Sequence, residues 1–474
     1  MSDCCEPKGR NFDVAVIGAG SAGFSAAITA AGEGARVALI GHGTIGGTCV
    51  NVGCVPSKAL IRAAETLHVA KGAARFDGIE AQARVTDWKK VVAQKQALVD
   101  DLRKAKYTDL LPVHNSVAYI EGEASFGDDG ALIVNGEAID AHKVIIATGT
   151  RPALPSITGI DEVPYLTSTT ALELETLPES LLIIGAGYIG AEIAQIFARA
   201  GVDVTIVSRR GLLPEAEPEI SEALSQYFKD EGIRLVDGIA YDRIEGDDSA
   251  IHLHVEGATG AHMLSAEKVM IASGRTPNTD HLNLGAAGIE TGGDGSVNVD
   301  CHMRASREGV YAAGDVTGRD QFVYMAAYGA KIAAKNAMNG NSLSYDNKAM
   351  PAVVFTDPQV ASVGLTEGQA KEQGIETRTS VLGLENVPRA LAARDTRGII
   401  KLVADAETGR LIGAHILAPE GSDSIQTAAL AIKAGMTYAD LADTIFPYLT
   451  TVEGLKLAAQ TFDMDVKQLS CCAG

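Results

Sequence analysis

The chain has 474 residues, 46% of them hydrophobic, and a formal net charge of −20. That length suits roughly three domains of about 150 residues each, and the apolar content excludes disorder on a large scale. So acidic a chain would be repelled by nucleic-acid phosphates and by anionic lipid, which argues against both as partners.

The first ten residues hold Asp3 and Glu6 and no apolar core, so no secretory signal is expected. No run of about 18 apolar residues occurs, so no membrane-spanning helix is expected either. The expectation is a cytoplasmic protein. Its seven cysteines (Cys4, Cys5, Cys49, Cys54, Cys301, Cys471 and Cys472) include two adjacent pairs and an odd total. That is a poor disulfide framework, and in a reducing compartment it points to catalysis or metal binding.

Phe12 to Ile17 reads as a buried parallel strand, followed by Gly18-Ala19-Gly20-Ser21-Ala22-Gly23. A small-residue helix from Phe24 to Ala31 and a strand from Ala35 to Ile40 come next. This is the context that the Gly-x-Gly-x-x-Gly dinucleotide fingerprint needs, with Gly18, Gly20 and Gly23 permitting a tight turn and close approach to a pyrophosphate. The carboxylate expected at the end of the second strand is missing: the position holds Gly41, followed by His42.

Gly46-Gly47-Thr48-Cys49-Val50-Asn51-Val52-Gly53-Cys54-Val55-Pro56-Ser57-Lys58 follows. Pro56 suits the first position of a helix, and Ala59, Leu60, Ala63, Ala64 and Leu67 continue at helical spacing. Cys54 then sits just before a helix N-terminus, where partial positive charge favours thiolate. A short loop between Cys49 and Cys54 lets them join as a disulfide and part as a dithiol. The alternative is two buried structural cysteines. Lys89 to Lys106 reads as a charged helix, and Ala118 to Phe126, Ala131 to Val134 and Lys143 to Ile146 as short strands. Ala147-Thr148-Gly149 and Arg151-Pro152 end the first segment.

A second strand, Leu181 to Ile184, leads into Gly185-Ala186-Gly187-Tyr188-Ile189-Gly190 and a helix from Ala191 to Arg199. Its following strand, Asp203 to Val207, ends at Ser208-Arg209-Arg210. Arginine there suits a 2′-phosphate, where a carboxylate would repel it. Gly185, Gly187, Gly190, Arg209 and Arg210 therefore read as an NADPH site, with a solvated strand end as the alternative for the two arginines. Two complete fingerprints imply two dinucleotides, most economically FAD in the first and NADPH in the second. Further on, Gly309 to Asp315 is a short strand that delivers Asp315 at a glycine turn, and Cys301 reads as a structural cysteine of a strand-rich region.

From about residue 12 to the C-terminus these motifs resemble the flavin-dependent pyridine nucleotide–disulfide oxidoreductases. The resemblance implies an α/β fold with two Rossmann-like dinucleotide-binding domains, for FAD and NADPH, plus an α+β C-terminal dimerisation domain. The segments are 12–150 and 276–345 for FAD, 151–275 for NADPH, and 346–474 for the interface of a homodimer. It implies that Cys49 exchanges with substrate and that Cys54 lies against the flavin. Lys58 would pair with Glu192 near the ring, and Asp315 would hold the ribityl chain. By the same matching Gly23, Gly43, Gly47, Thr48, Ala124 and Val323 line the flavin site, and Tyr188 covers the nicotinamide pocket.

Strands at Pro351 to Thr356, Ile399 to Val403 and Leu411 to Leu417 suggest an antiparallel sheet. In Phe446 to Glu453, Tyr448 occupies the place where disulfide reductases of the family keep a histidine, with Glu453 five residues on. A phenol of pKa about 10 cannot protonate a thiol leaving group near neutrality as an imidazole does. Its presence argues against an organic disulfide as substrate; a structural tyrosine in a re-tasked site is the alternative. The end, Ser470-Cys471-Cys472-Ala473-Gly474, carries adjacent thiols that suit a soft metal ion better than a strained disulfide. Taken together, the redox pair, Tyr448 and the Cys471-Cys472 tail resemble the mercuric reductase branch of the family.

That branch implies NADPH-dependent reduction of Hg(II), delivered as a thiol complex through Cys471 and Cys472 of the partner subunit to Cys49 and Cys54, with Tyr448 and Tyr188 as further metal contacts. The first strand begins at about Phe12, so no N-terminal heavy-metal-associated domain is expected, and Cys4-Cys5 is either a loose metal-collecting pair or a functionless start. The competing readings are a glutathione- or lipoamide-type disulfide reductase and a metal-sequestering flavoprotein.

Overall fold

The computed structural model describes residues 11–468 apart from 248 and 259. Cys4, Cys5, Cys471 and Cys472 therefore lie outside the described residues. The chain divides into two compact units, one holding the residues up to Ser57 with Ala93–Ala153 and Gly274–Asp346, the other Lys58–Val92, Leu154–Ser273 and the residues from Asn347 on.

In the first unit the strands Val117–Glu121, Val37–Gly41, Asn11–Ile17, Glu137–Ile146 and Val310–Ala312 lie side by side in that order, all parallel. The strand Glu137–Ile146 serves two sheets. Its second half lies between Asn11–Ile17 and Val310–Ala312, and its first half pairs antiparallel with Leu132–Val134, which pairs in turn with Ala124–Phe126. The central strands are apolar on both faces because both are covered, as a parallel sheet requires. The helices Ser21–Gly32 and Val323–Asn339 pack on one face through Ala26, Ala27, Ala30, Ala330, Ala333 and Ala334, whose small side chains let the helices approach closely.

The second unit repeats the parallel plan with the order Arg234–Val236, Asp203–Val207, Ser180–Ile184, Lys268–Ile271, Tyr165–Thr167. The helix Tyr188–Arg199 buries Ile193, Ile196 and Phe197 against that sheet. The same unit holds a five-stranded antiparallel sheet, in which Ile399–Asp405 and Leu411–Ala418 are central strands. The expected fold class, two parallel dinucleotide-type sheets and an α+β C-terminal part, is what the structure contains.

Three local expectations are corrected. The helix begins at Cys54 itself, with Pro56 in its first turn, and the segment between the cysteines is not an open loop but a short helix, Gly47–Val52, broken at Gly53. Gly53 leaves the helical conformation (φ −125°, ψ −110°), and a Cβ there would lie 2.9 Å from the Thr48 carbonyl oxygen, so the break favours glycine. Cys301 is exposed in a turn rather than buried among strands.

In the antiparallel sheet Lys401, 2% exposed, donates to Glu217 (2.9 Å), Glu219 (2.8 Å) and Glu367 (3.0 Å). Burial alone would lower its pKa, but the three carboxylates hold it above the ordinary lysine range. Removing the cation strands Glu217, which is equally buried. Lys401→Met should cost about 3–5 kcal/mol in chemical denaturation, whereas Glu219→Gln, at the exposed edge of the cluster, should cost under about 1 kcal/mol.

Candidate functional site

In the first unit the glycine turn is closed by backbone alone. Gly18 has φ +116°, and a Cβ on it would lie 2.2 Å from the Ala147 carbonyl oxygen; one on Gly23 would lie 1.7 Å from the Gly18 oxygen. No side chain caps the helix Ser21–Gly32, so its first N–H groups face outward as an anion site. The stretch that carries Cys49 and Cys54 lies directly on this turn. A Cβ on Gly47 would sit 2.6 Å from Gly20 Cα, and Gly46 N–H donates to the Ala19 carbonyl at 2.9 Å. Cys49, in the short helix, and Cys54, at the start of the next, are both half-buried.

Further polar groups surround the same turn. Thr150 Oγ1 donates to Asp315 Oδ2 (3.1 Å) and accepts from Arg275 Nε (2.7 Å). Burial raises the Asp315 carboxyl, with Arg275 and Thr150 opposing. Burial lowers Arg275, and the charges of Asp315 and then Cys54 oppose that. Thr148 Oγ1 is buried with no hydrogen-bond partner among the described residues. An orphaned hydroxyl, a buried carboxyl and an uncapped helix start fit a dinucleotide that brings hydroxyls and a pyrophosphate.

The absent acidic residue has a steric explanation. A Cβ at Gly41 would lie 2.6 Å from the Tyr119 hydroxyl and 2.8 Å from Ala19 Cβ. His42 is turned to Glu123 at 3.3 Å, both well exposed. Gly43 (φ +76°) and Thr48 are also exposed, Ala124 begins its strand half-buried, and Val323 opens its helix half-buried.

The second unit builds the other fingerprint in the same way. A Cβ on Gly185 would lie 2.2 Å from the Ala272 oxygen, and one on Gly190 2.1 Å from the Gly185 oxygen, while Gly187 faces open space. Ser208 Oγ accepts from the N–H groups of Arg210 (3.2 Å) and Gly211 (2.8 Å), a turn that sends Arg209 and Arg210 outward. Arg209 lies over the Tyr241 ring (5.9 Å), and Arg210 pairs with Glu215 (2.9 Å).

Lys58 Nζ donates to both Glu192 oxygens (2.8 and 3.0 Å) and stands 4.6 Å from the Phe355 ring centroid. Phe355 N–H donates to Glu192 (2.9 Å), so one carboxylate fixes both the ammonium and the backbone just past the strand Pro351–Val354. Tyr188, 36% exposed, borders a cavity of about 160 Å³ together with Glu215, Thr366, Gln369 and His415. Burial, then Glu215, raises its phenol. Tyr448 is 54% exposed on a loop braced by Glu453, which accepts from Leu449 N–H (3.1 Å).

The structure thus gathers Cys49, Cys54, Gly20, Gly47 and Asp315 in one unit and Lys58, Glu192, Tyr188, Arg209, Arg210 and Tyr448 in the other. Cys471 and Cys472 fall outside the described residues. Thr148, Arg275, Phe355 and Glu215 were not singled out from sequence. Thr148 stood inside the motif already read as the end of the first segment, whereas Phe355 and Glu215 carry no local signal.

With this geometry in hand the chain can be classified. The pattern of the pyridine nucleotide-disulphide oxidoreductases matches residues 12–334, and that of their dimerisation domain matches residues 350–459; the chain belongs to this family. Within it, the mercuric reductase of Lysinibacillus sphaericus is 47% identical over 98% of this chain and 85% of its own length. That of Streptomyces lividans is 46% identical over 98% of both. Among solved structures, the Cu(II) complex of the HOCl-induced flavoprotein disulfide reductase RclA from Escherichia coli superposes with TM-score 0.85 at 31% identity, over 95% of this chain and 99% of that one. No helix among the described residues is long and apolar enough to cross a membrane.

His415, 3% exposed, donates its Nε2 hydrogen to the Leu365 carbonyl (3.0 Å) and faces Glu217, Glu219 and Lys401. Burial lowers its pKa below the ordinary 6.5, the Leu365 carbonyl and Glu217 opposing and Lys401 adding to it. Below about pH 6.5 the unfolded chain takes up a proton that the folded one refuses. Stability from this group is therefore complete above that pH and falls as acid is added; in His415→Gln a pH series of denaturation midpoints should lose that part of the acid slope.

Proposed function

We propose that the chain reduces Hg(II) to elemental mercury with NADPH, converting NADPH and Hg(II) to NADP⁺, H⁺ and Hg(0). The observation that carries this reading is 46–47% identity to mercuric reductases along 98% of the chain, in a fold that sets a cysteine pair on a dinucleotide turn. In this reading 12–150 and 276–345 hold FAD, 151–275 holds NADPH, and 346–474 forms the interface of a homodimer.

Gly18, Gly20, Gly23 and the open start of the helix Ser21–Gly32 would take the FAD pyrophosphate, with Gly43, Gly47, Thr48, Ala124 and Val323 around the cofactor and Asp315 on the ribityl chain. When bound, the flavin supplies a two-electron relay between the nicotinamide and the cysteines. Gly185, Gly187 and Gly190 accept the second pyrophosphate, and Arg209 and Arg210 bind the 2′-phosphate that distinguishes NADPH from NADH. Tyr188 closes over the nicotinamide pocket. Lys58, fixed by Glu192, would offer its positive charge to the flavin.

Hg(II) arrives as a dithiolate. Cys471 and Cys472 of the partner subunit replace its two thiolates, and Cys49 and Cys54 replace the tail cysteines in turn. Each exchange forms one Hg–S bond and breaks another, so the ion is never released. Tyr448 stands where an imidazole acid would serve an organic disulfide, and offers the metal a phenol oxygen instead. An antagonistic reading, sequestration without reduction, leaves the NADPH site without a purpose.

Hg(II)-dependent NADPH oxidation with a thiol present tests the activity, and tight Hg(II) binding with neither NADPH consumption nor mercury vapour would refute it. Cys54→Ala should abolish turnover. Cys471→Ala/Cys472→Ala should slow turnover of bulky Hg(II)–thiol complexes, and unchanged rates with all of them would remove the hand-off. In Arg209→Gln/Arg210→Gln the KM for NADPH should rise about tenfold, as loss of charge-assisted bonds predicts, while the KM for NADH stays level.

A further inference from the structure

The end of the helix Trp88–Arg103 takes no part in the chemistry above, yet it meets the redox stretch in two places. The helix runs into one π-helical turn, Lys104–Thr108, closed by Asp109 N–H on the Lys104 carbonyl at 2.9 Å. Single π turns add a residue to a helix and recur at functional sites. On one side of this turn Arg103 Nη1 donates to Asn51 Oδ1 at 3.1 Å. Asn51, which lies between the two cysteines, spends its two amide hydrogens on the carbonyls of Ile45 (2.9 Å) and Gly47 (2.8 Å). The guanidinium therefore saturates a side chain that staples the entry of the redox helix to itself.

Four residues on, Tyr107 packs against the same entry. A Cβ on Gly46 (φ +98°) would lie 2.6 Å from Val50 Cγ1 and 3.2 Å from Tyr107 Cδ2, so the ring stands close against the glycine. The hydroxyl meets Ser21 Oγ at 3.2 Å in the first turn of the dinucleotide helix, and the ring stands edge-on to Phe24 at 4.9 Å. Burial raises this phenol, Ser21 opposes, and the charges of Cys49 and Cys54 raise it further. It thus stays a neutral hydroxyl within the electrostatic reach of both sulfurs.

We propose that Arg103 and Tyr107 are positioning residues for the Cys49–Cys54 pair: Arg103 fixes the cysteine helix through Asn51, and Tyr107 ties its glycine entry to Ser21. The proposal rests on reading those cysteines as a redox pair. A helix that only packed would need neither the guanidinium on the side-chain amide of the short cysteine helix nor the change of helical phase between the two contacts.

The test uses FAD-loaded Arg103→Gln, Arg103→Lys and Tyr107→Phe proteins. After NADPH reduction, the long-wavelength thiolate-to-flavin band and the rate of Cys49 alkylation by iodoacetamide are read beside Hg(II) turnover. Arg103→Gln and Tyr107→Phe should each lose much of the band and about tenfold in kcat, since small misplacements of reacting groups are costly. The KM for NADPH and the rate of flavin bleaching by NADPH should not move, and Arg103→Lys should recover part of the loss. Band and alkylation identical to wild type in both variants would overturn the proposal. A wild-type protein without the band would instead overturn the redox-pair reading itself. Should Tyr107→Phe not fold, Arg103→Gln with its lysine rescue decides alone.

Discussion

The contact on which the first unit depends is one of backbone against backbone. Gly47 lies on Gly20 with no room for a methyl group between them, and Gly18 and Gly23 close the same turn on the Ala147 carbonyl and on each other. A side chain on Gly47 would push the short cysteine helix off the dinucleotide turn, and one on Gly18 or Gly23 would open the turn itself. The glycines remove the intermediary. Their cost in chain entropy is met by the alanine-rich packing of the helices Ser21–Gly32 and Val323–Asn339, which buries the turn's own scaffold.

The second unit relies more on charge. Arg199, 6% exposed, joins Glu231 (2.7 Å) and Asp357 (2.9 Å), and Lys401 gathers three carboxylates. In a chain of net charge −20, few cations stand inside many anions, and each buried one organises several elements at once. Such clusters add specificity of arrangement more readily than stability. Lys58 belongs to the same pattern, because Glu192 binds its ammonium and the Phe355 backbone together, so the cation, the ring and the carboxylate form one piece.

What could be read from the sequence was whatever sterics impose locally. Both glycine turns, the parallel strands around them and the Arg209-Arg210 ending are short-range consequences of residue type, and they stand in the structure where they were expected. The helix between the cysteines was not legible, because Gly-Thr-Cys-Val-Asn-Val has neither apolar periodicity nor a capping side chain. Nor was the double duty of Glu137–Ile146, whose polar first half pairs with a hairpin while its apolar second half enters the parallel sheet. Cys301 shows the opposite failure, a residue type that is usually buried found in an exposed turn. The partners of Asn51 and Tyr107 lie 52 and 86 residues away, beyond the reach of any pattern along the chain.

Gly41 and Tyr119 are a single steric unit. The Tyr119 hydroxyl and the Ala19 methyl group already occupy the space in which a side chain at 41 would begin. A carboxylate there would require the ring at 119 to move first, so the residue at that strand end and the tyrosine on the neighbouring strand are one choice rather than two.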